Sequence, residues 1–266
     1  MSQGENPYVA QNDPPLPGYA TVPAPPLDYT GAYGYIFQSQ AWIPNLFFTL
    51  LATLIPVIGN IIVLGYQFEI VEALIREPRR VYPDFDWNKF SQYLTRGVWP
   101  FLISLIVGIV VAPVIWIGMI GFIFLISILG NGNNDAAAAM TVFSVIGMGV
   151  FAFLLILLLQ LVISGFQLRA GLSQDFGTSF NFTWVRDYVS RMWVELLLSM
   201  LFLMITGAVL ALLGALLFCV GLYVAAAWIM LAQAHLYFQL YRIYLARGGM
   251  EIPLKPVPRP LPGVLQ

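Results

Sequence analysis

The chain has 266 residues, of which 59% are hydrophobic and only 9% charged, with a formal net charge of −1. A soluble domain usually carries about 25% charged residues, so the composition excludes an ordinary water-soluble globular protein, and its near-neutral balance gives nucleic acid no footing as a partner. The single cysteine, Cys219, excludes an intramolecular disulfide.

The gaps between charges set the class. Residues 97–134, 136–168 and 196–241 contain no Lys, Arg, Asp or Glu. A bilayer core about 30 Å thick takes roughly 20 apolar residues per helix, and the chain supplies about five such stretches. The fold class predicted is all-α, a polytopic transmembrane helix bundle with the lipid bilayer as its first partner.

Residues 1–40 hold seven of the 18 prolines, together with Tyr8, Tyr19, Tyr29, Tyr33 and Tyr35. No periodic apolar face runs through them, so they read as a disordered Pro/Tyr-rich tail. Pro14-Pro15-Leu16-Pro17 reads as solvated rather than docked in a proline-binding groove. No secretory signal peptide is visible. The transmembrane domain is expected over 41–245 and a Pro-rich tail over 246–266.

The first apolar run, 46–65, is interrupted by Pro56 and Gly59. Proline lacks a backbone donor and collides with the preceding turn, which predicts a kink near Ile55. The run reads as one kinked span, with a re-entrant half-helix before Pro56 as the alternative. Residues 66–97 are polar by comparison and hold five of the 12 basic residues. Glu72 and Arg76 have the spacing of a helical ion pair. Pro83 blocks helix, and Asp86 suits the cap of a helix opening at Trp87. Trp87, Phe90, Leu94 and Val98 then recur at helical spacing, which predicts a short interfacial helix.

The second run, 98–129, is 32 residues long. As one helix it reaches about 48 Å, so it either tilts and protrudes or breaks around Pro113, Gly118 and Gly121. A turn at 130–135 leads into the third run, 136–164. A second polar stretch, 165–193, holds another interfacial helix, with Val185, Tyr188, Val189, Met192 and Trp193 on one face. The fourth run is 196–217. A turn near 218–221 leads to the fifth, 222–244.

All 12 basic residues fall within 76–96, 169–191 and 242–259. The positive-inside rule places 66–97, 165–194 and 242–266 in the cytoplasm of a multi-pass cell (inner) membrane protein. Five spans with the N-terminus outside satisfy every segment; a re-entrant first run moves the N-terminus inside. Trp87, Trp99, Trp184 and Trp193 fall at the cytoplasmic boundary, where indoles anchor among headgroups.

Three span ends share one pattern: Gly65-Tyr66-Gln67-Phe68, Gly165-Phe166-Gln167-Leu168 and Phe238-Gln239-Leu240. After the first two, Phe85-Asp86-Trp87 corresponds to Phe182-Thr183-Trp184, and Arg96 and Trp99 correspond to Arg191 and Trp193. This predicts a parallel internal repeat.

Ile55-Pro56-Val57-Ile58-Gly59, Leu64-Gly65-Tyr66, the Pro83-to-Trp87 segment, Arg96-Gly97 and Phe180-Asn181-Phe182 together resemble a family of bacterial and archaeal multi-pass membrane proteins catalogued as domain of unknown function 4013. The resemblance covers about residues 41–245 and implies a fold without any chemistry. That family usually has a more charged segment before its first span, whereas this chain has its Pro/Tyr tail there, so the resemblance implies nothing about the side of the N-terminus.

No catalytic, cofactor or metal motif is present: His235 is the one histidine and Cys219 the one cysteine, and no GxxxxGK[ST], HExxH or GxSxG string occurs. Asn181-Phe182-Thr183 matches a glycosylation acceptor only by chance, on the cytoplasmic side. Ionisable or amide side chains in the spans are the default functional candidates: His235, Gln160 and Gln233. Glu195 reads as an interface anchor near Arg191. Gly207, Ala211 and Ala215 form a small-residue face suited to helix packing or a homo-oligomer.

The expected function is therefore a non-enzymatic scaffold, partner-binding or helper protein of the cell membrane. A transporter or channel for a small or amphipathic solute is the alternative. A lipid-acting enzyme would have to use Asp84, Asp86, Arg96 and Arg186.

Overall fold

The computed structural model describes residues 26–78, 82–129, 134–217 and 220–255. The Pro14–Pro17 piece, the turn residues 130–133, Cys219 and the tail beyond 255 lie outside the described residues. Among those described there is helix and no strand. The helices are α1 (Tyr29–Gly34), α2 (Trp42–Thr53), α3 (Ile58–Arg76), α4 (Phe90–Leu129), α5 (Asn134–Ser173), α6 (Phe176–Ser179), α7 (Phe182–Ala215) and α8 (Val220–Ala246), with 3-10 turns at Tyr35–Gln38 and Trp87–Lys89.

Five helical runs are long and apolar enough to cross a membrane: Ile58–Arg76, Trp87–Ile128, Thr141–Ser173, Phe182–Ala215 and Val220–Ala246. Their outward residues are large and oily. Ile117 is 71% exposed, Phe124 67%, Phe143 77% and Leu212 72%. A soluble monomer does not carry apolar surface this continuous; hydrocarbon is the solvent that suits it.

The first apolar run is not one kinked span. It forms two helices that fold back on each other. An added Cβ at Gly59 would stand 1.6 Å from the Ala52 carbonyl oxygen, which a merely kinked rod would not allow. Farther down the hairpin, Asn45 of α2 hydrogen-bonds Asp84 and Phe85, and the Phe85 ring packs on Tyr66 of α3 at 5.2 Å. The reversal is a tight γ-turn. Val57 has φ 64° and ψ −66°, and the Ile58 N–H donates to the Pro56 carbonyl at 2.7 Å. Helix α2, with 12 residues, is about 18 Å long, too short to cross. The hairpin has the shape of the re-entrant alternative rather than of one kinked span, and the residues entering α2 lie beside the 82–87 loop.

The disorder expected for 1–40 does not hold for its last part. Asp28 caps α1 through the Gly31 N–H at 2.7 Å. Ala32, Tyr35 and Ile36 are buried. Gln239 holds this segment in place: its Oε1 accepts from the Asp28 N–H at 2.7 Å and its Nε2 donates to the Asp28 carbonyl at 3.0 Å. Residues 1–25 lie outside the described part. At the other end of the chain, Ile252 is buried and its N–H donates to the Tyr241 hydroxyl at 2.7 Å.

The two short interfacial helices are not separate elements. Trp87 opens a 3-10 turn that runs directly into α4, and Phe182 opens the 34-residue α7. Helix α4 continues through Pro100 and Pro113. Ser104 donates to the Pro100 carbonyl at 2.9 Å, the kind of side-chain bond by which membrane helices tolerate proline.

The two segments that lead into α4 and α7 are packed alike; measured from their caps, the Trp87–Trp184 pairing read from sequence shifts by two residues, while Arg96–Arg191 keeps its pairing. The caps are Asp86 and Asn181, whose side chains accept from the N–H groups of Asn88 and Trp184. Counting from the caps pairs Tyr93 with Tyr188, both 0% exposed, and Arg96 with Arg191. In each copy the glycine of the preceding helix end abuts that tyrosine: an added Cβ would stand 1.9 Å from the Tyr93 carbonyl oxygen at Gly65 and 3.3 Å from the Tyr188 ring at Gly165. Helices α3 and α8 are the most buried, and Phe68, Tyr66, Trp184, Tyr241 and Tyr244 fill the core at this end.

Candidate functional site

The glutamines of the repeated helix ends are the polar stitches of the bundle. Gln67 is 2% exposed, and its Nε2 donates to the Met230 carbonyl of α8 at 2.5 Å. Gln167 Nε2 donates to Ser104 of α4 at 2.8 Å, and its Oε1 accepts from the Tyr237 hydroxyl at 3.1 Å. Gln233 Nε2 donates to that same hydroxyl at 3.2 Å. A continuous chain thus runs Gln233–Tyr237–Gln167–Ser104–Pro100, tying α8, α5 and α4. In hydrocarbon each such group must find a protein partner, because no water is there to replace it.

The three polar candidates read from sequence separate into two places. Gln160 and Gln233 meet in one small cavity of about 40 Å³ between α5, α7 and α8, together with Ser164, Ser199 and Tyr237. His235 stands apart. Its ring stacks on Tyr35 at 4.5 Å and its Nδ1 is 3.0 Å from Gln239 Nε2. A groove of about 540 Å³ lies between α4 and α5, and its lining, including Gly118, Phe122, Gly147 and Phe151, is entirely apolar.

Ion pairs gather at the end where the basic segments lie. Glu72 bridges Arg76 at 2.8 Å and Arg96 at 2.6 Å, and Glu69 holds Lys89 at 2.8 Å. Arg191 pairs with Asp187 at 2.8 Å. Glu195 pairs with Arg247 rather than with Arg191, and its carboxylate holds the Arg247 guanidinium above the ordinary arginine range. Burial pushes the Tyr82 phenol well up. Of the residues that a lipid-acting enzyme would need, Asp84 binds Ser39 and Asn45, Asp86 caps at Asn88, and Arg96 binds Glu72. Asn181, the formal glycosylation acceptor, spends its side chain on the Trp184 N–H at 2.9 Å.

Of the four tryptophans read as anchors, Trp87 and Trp193 are exposed, at 48% and 55%. Trp184 is a correction: it is 1% exposed, stacks on Tyr188 at 5.1 Å and donates to the Met250 carbonyl at 2.8 Å. It sits on the buried α7 face with Tyr188 and Met192, whereas Trp193 lies off that face. Trp99 is half-buried beside Phe176, with ring centroids 6.1 Å apart.

Residues 48–219 match the model of one protein family, described as Protein of unknown function (DUF4013). The chain belongs to that family. The match begins within α2, covers α3 to α7 and stops short of α8, so it is narrower than the 41–245 expected from sequence. No curated protein and no solved structure matches this DUF4013 member. Sequence reasoning missed Gln67, Gln167, Tyr237 and Ser104 as the polar network. The signal was present in the recurring aromatic–Gln ends, which read there only as marks of a repeat.

Proposed function

We propose that this DUF4013 member is a non-catalytic scaffold or helper of the cell membrane that engages a membrane-protein partner. One observation carries this reading: the chain Gln233–Tyr237–Gln167–Ser104 is closed on itself, while the groove between α4 and α5 is oily throughout. A solute path needs polar groups that face a continuous opening. Here the cavity lined by Gln160 and Gln233 is about 40 Å³, below the roughly 300 Å³ at which small-molecule sites begin. Transport remains the second reading because the α2–α3 hairpin resembles the broken helices that often surround transport sites.

The positive-inside rule puts the ends at 76–96, 169–191 and 242–255 in the cytoplasm, and the hairpin brings residues 28–41 to the same side. The ends of α7 and α8 that flank residues 218–219 then lie on the outer side. The test of function is reconstitution into vesicles with ion and small-solute flux assays. No flux above empty vesicles is expected; a flux abolished by His235→Ala overturns the scaffold reading. The test of orientation is an impermeant thiol reagent. Cys219 should be labelled from outside, and Ser91→Cys in a Cys219→Ala background only from inside.

A further inference from the structure

We infer that the cavity between α5, α7 and α8 is a binding site for one ordered water molecule, which completes the polar seam by joining α7 to it. Ser199 is 3% exposed and lines this cavity, and its hydroxyl has no hydrogen-bond partner among the described residues. An unsatisfied buried hydroxyl costs about 1–3 kcal/mol, and in hydrocarbon no bulk water relieves it. The opposite walls offer the missing partners. Gln160 makes no hydrogen bond among the described residues. Gln233 uses only its Nε2, on Tyr237. Ser164 donates to the Leu161 carbonyl at 2.8 Å and keeps lone pairs free.

Size and charge select the occupant. A water needs about 10–15 Å³ of open space and two to four polar partners, and the cavity of about 40 Å³ supplies both. An organic solute does not fit. No carboxylate lines the cavity, so a hard divalent cation finds none of the charge it takes from its ligands. The water bridges Ser199 to the Gln160 and Gln233 amides and thereby extends the chain Gln233–Tyr237–Gln167–Ser104 to the fourth helix.

The sign of one substitution tests this. Ser199→Ala should lower the melting temperature of the full chain in detergent by roughly 2–4 °C, because it strips a partner from the water. Gln160→Leu should then cost less in the Ser199→Ala background than in the parent. A high-resolution structure in a lipid nanodisc should show a single density peak about 3 Å from the Ser199 hydroxyl. If the cavity is dry, Ser199→Ala removes an orphan hydroxyl, the melting temperature holds or rises, and no peak appears. That result overturns the inference. So does a peak or a stability that depends on sodium in place of choline, which would make the occupant a cation. Neither outcome bears on the flux assay, so the site and the scaffold reading fail separately.

Discussion

One methyl group at Gly97 should disrupt the crossing of α3 and α4. A Cβ there would stand 1.8 Å from the Ile61 carbonyl oxygen and 2.7 Å from the Gly65 nitrogen, where ordinary contact starts at 3.4 Å. Both obstacles are backbone atoms, which no rotamer change can move. The helices must part by about 1.5 Å, and overpacking of this kind costs about 1–3 kcal/mol. Parting them also stretches the Glu72–Arg96 pair between α3 and α4 at 2.6 Å and the Glu69–Lys89 pair between α3 and the turn leading into α4 at 2.8 Å. Alanine recovers up to about 1 kcal/mol of helix propensity. With the strained ion pairs added, the net loss expected for Gly97→Ala is about 1–3 kcal/mol, or roughly 2–12 °C in melting temperature. Gly108, on the same helix, has nothing within 4 Å of its added Cβ and is the control. Thermal unfolding in detergent, followed by size-exclusion or fluorescence, reads both. Should Gly97→Ala melt with Gly108→Ala at the parental temperature, close backbone contact is not what joins α3 to α4.

Three further substitutions test other parts of the fold. Glu72→Ala leaves Arg96 and Arg76 without their shared carboxylate at a site where the acidic side chain is 10% exposed; a loss of about 2–4 kcal/mol is expected, read as a lower melting temperature, and an unchanged one would show the bridge to be idle. Val57→Gly relieves a branched residue held at φ 64° and should raise stability by about 1 kcal/mol after the greater freedom of the unfolded chain is subtracted; a drop would mean that the turn is unstrained. Asp175 has its carboxyl held below the ordinary value of 3.8 by the Thr178 N–H and hydroxyl. Its stabilising contribution is therefore present above that value and lost as pH falls through the lower folded one. Asp175→Asn should lose less stability than the parent on acidification from about pH 6 to about pH 3, and identical profiles would remove this cap from the acid response.

Much of the membrane core was legible because hydropathy and charge are local properties. The runs that became α4, α5, α7 and α8 could be read from bare stretches of sequence, as could the Asp86 cap. What failed was whatever depends on direction. Pro56-Val57-Ile58-Gly59 breaks a helix equally well as a kink or as a reversal, and only the fit of Gly59 against Ala52 decides between them. Phe182 to Trp193 holds no Pro or Gly, so nothing stops that amphipathic stretch from running straight into the span. Trp184 and Trp193 both sit near the same boundary in sequence, yet the face of α7 sends one into the core and leaves the other outside. The Tyr-rich segment 29–36 has no face of its own to bury. It orders because Gln239, 211 residues away from Asp28, supplies both halves of a backbone hydrogen-bond pair.

Gln67 meets its acceptor on Met230, 163 residues later in the chain. During synthesis, the Gln67 amide of α3 therefore has no such acceptor until α8 has been made. Assembly of this bundle waits on α8, and a product truncated before α8 would be left open at its centre while retaining every residue by which the family is recognised.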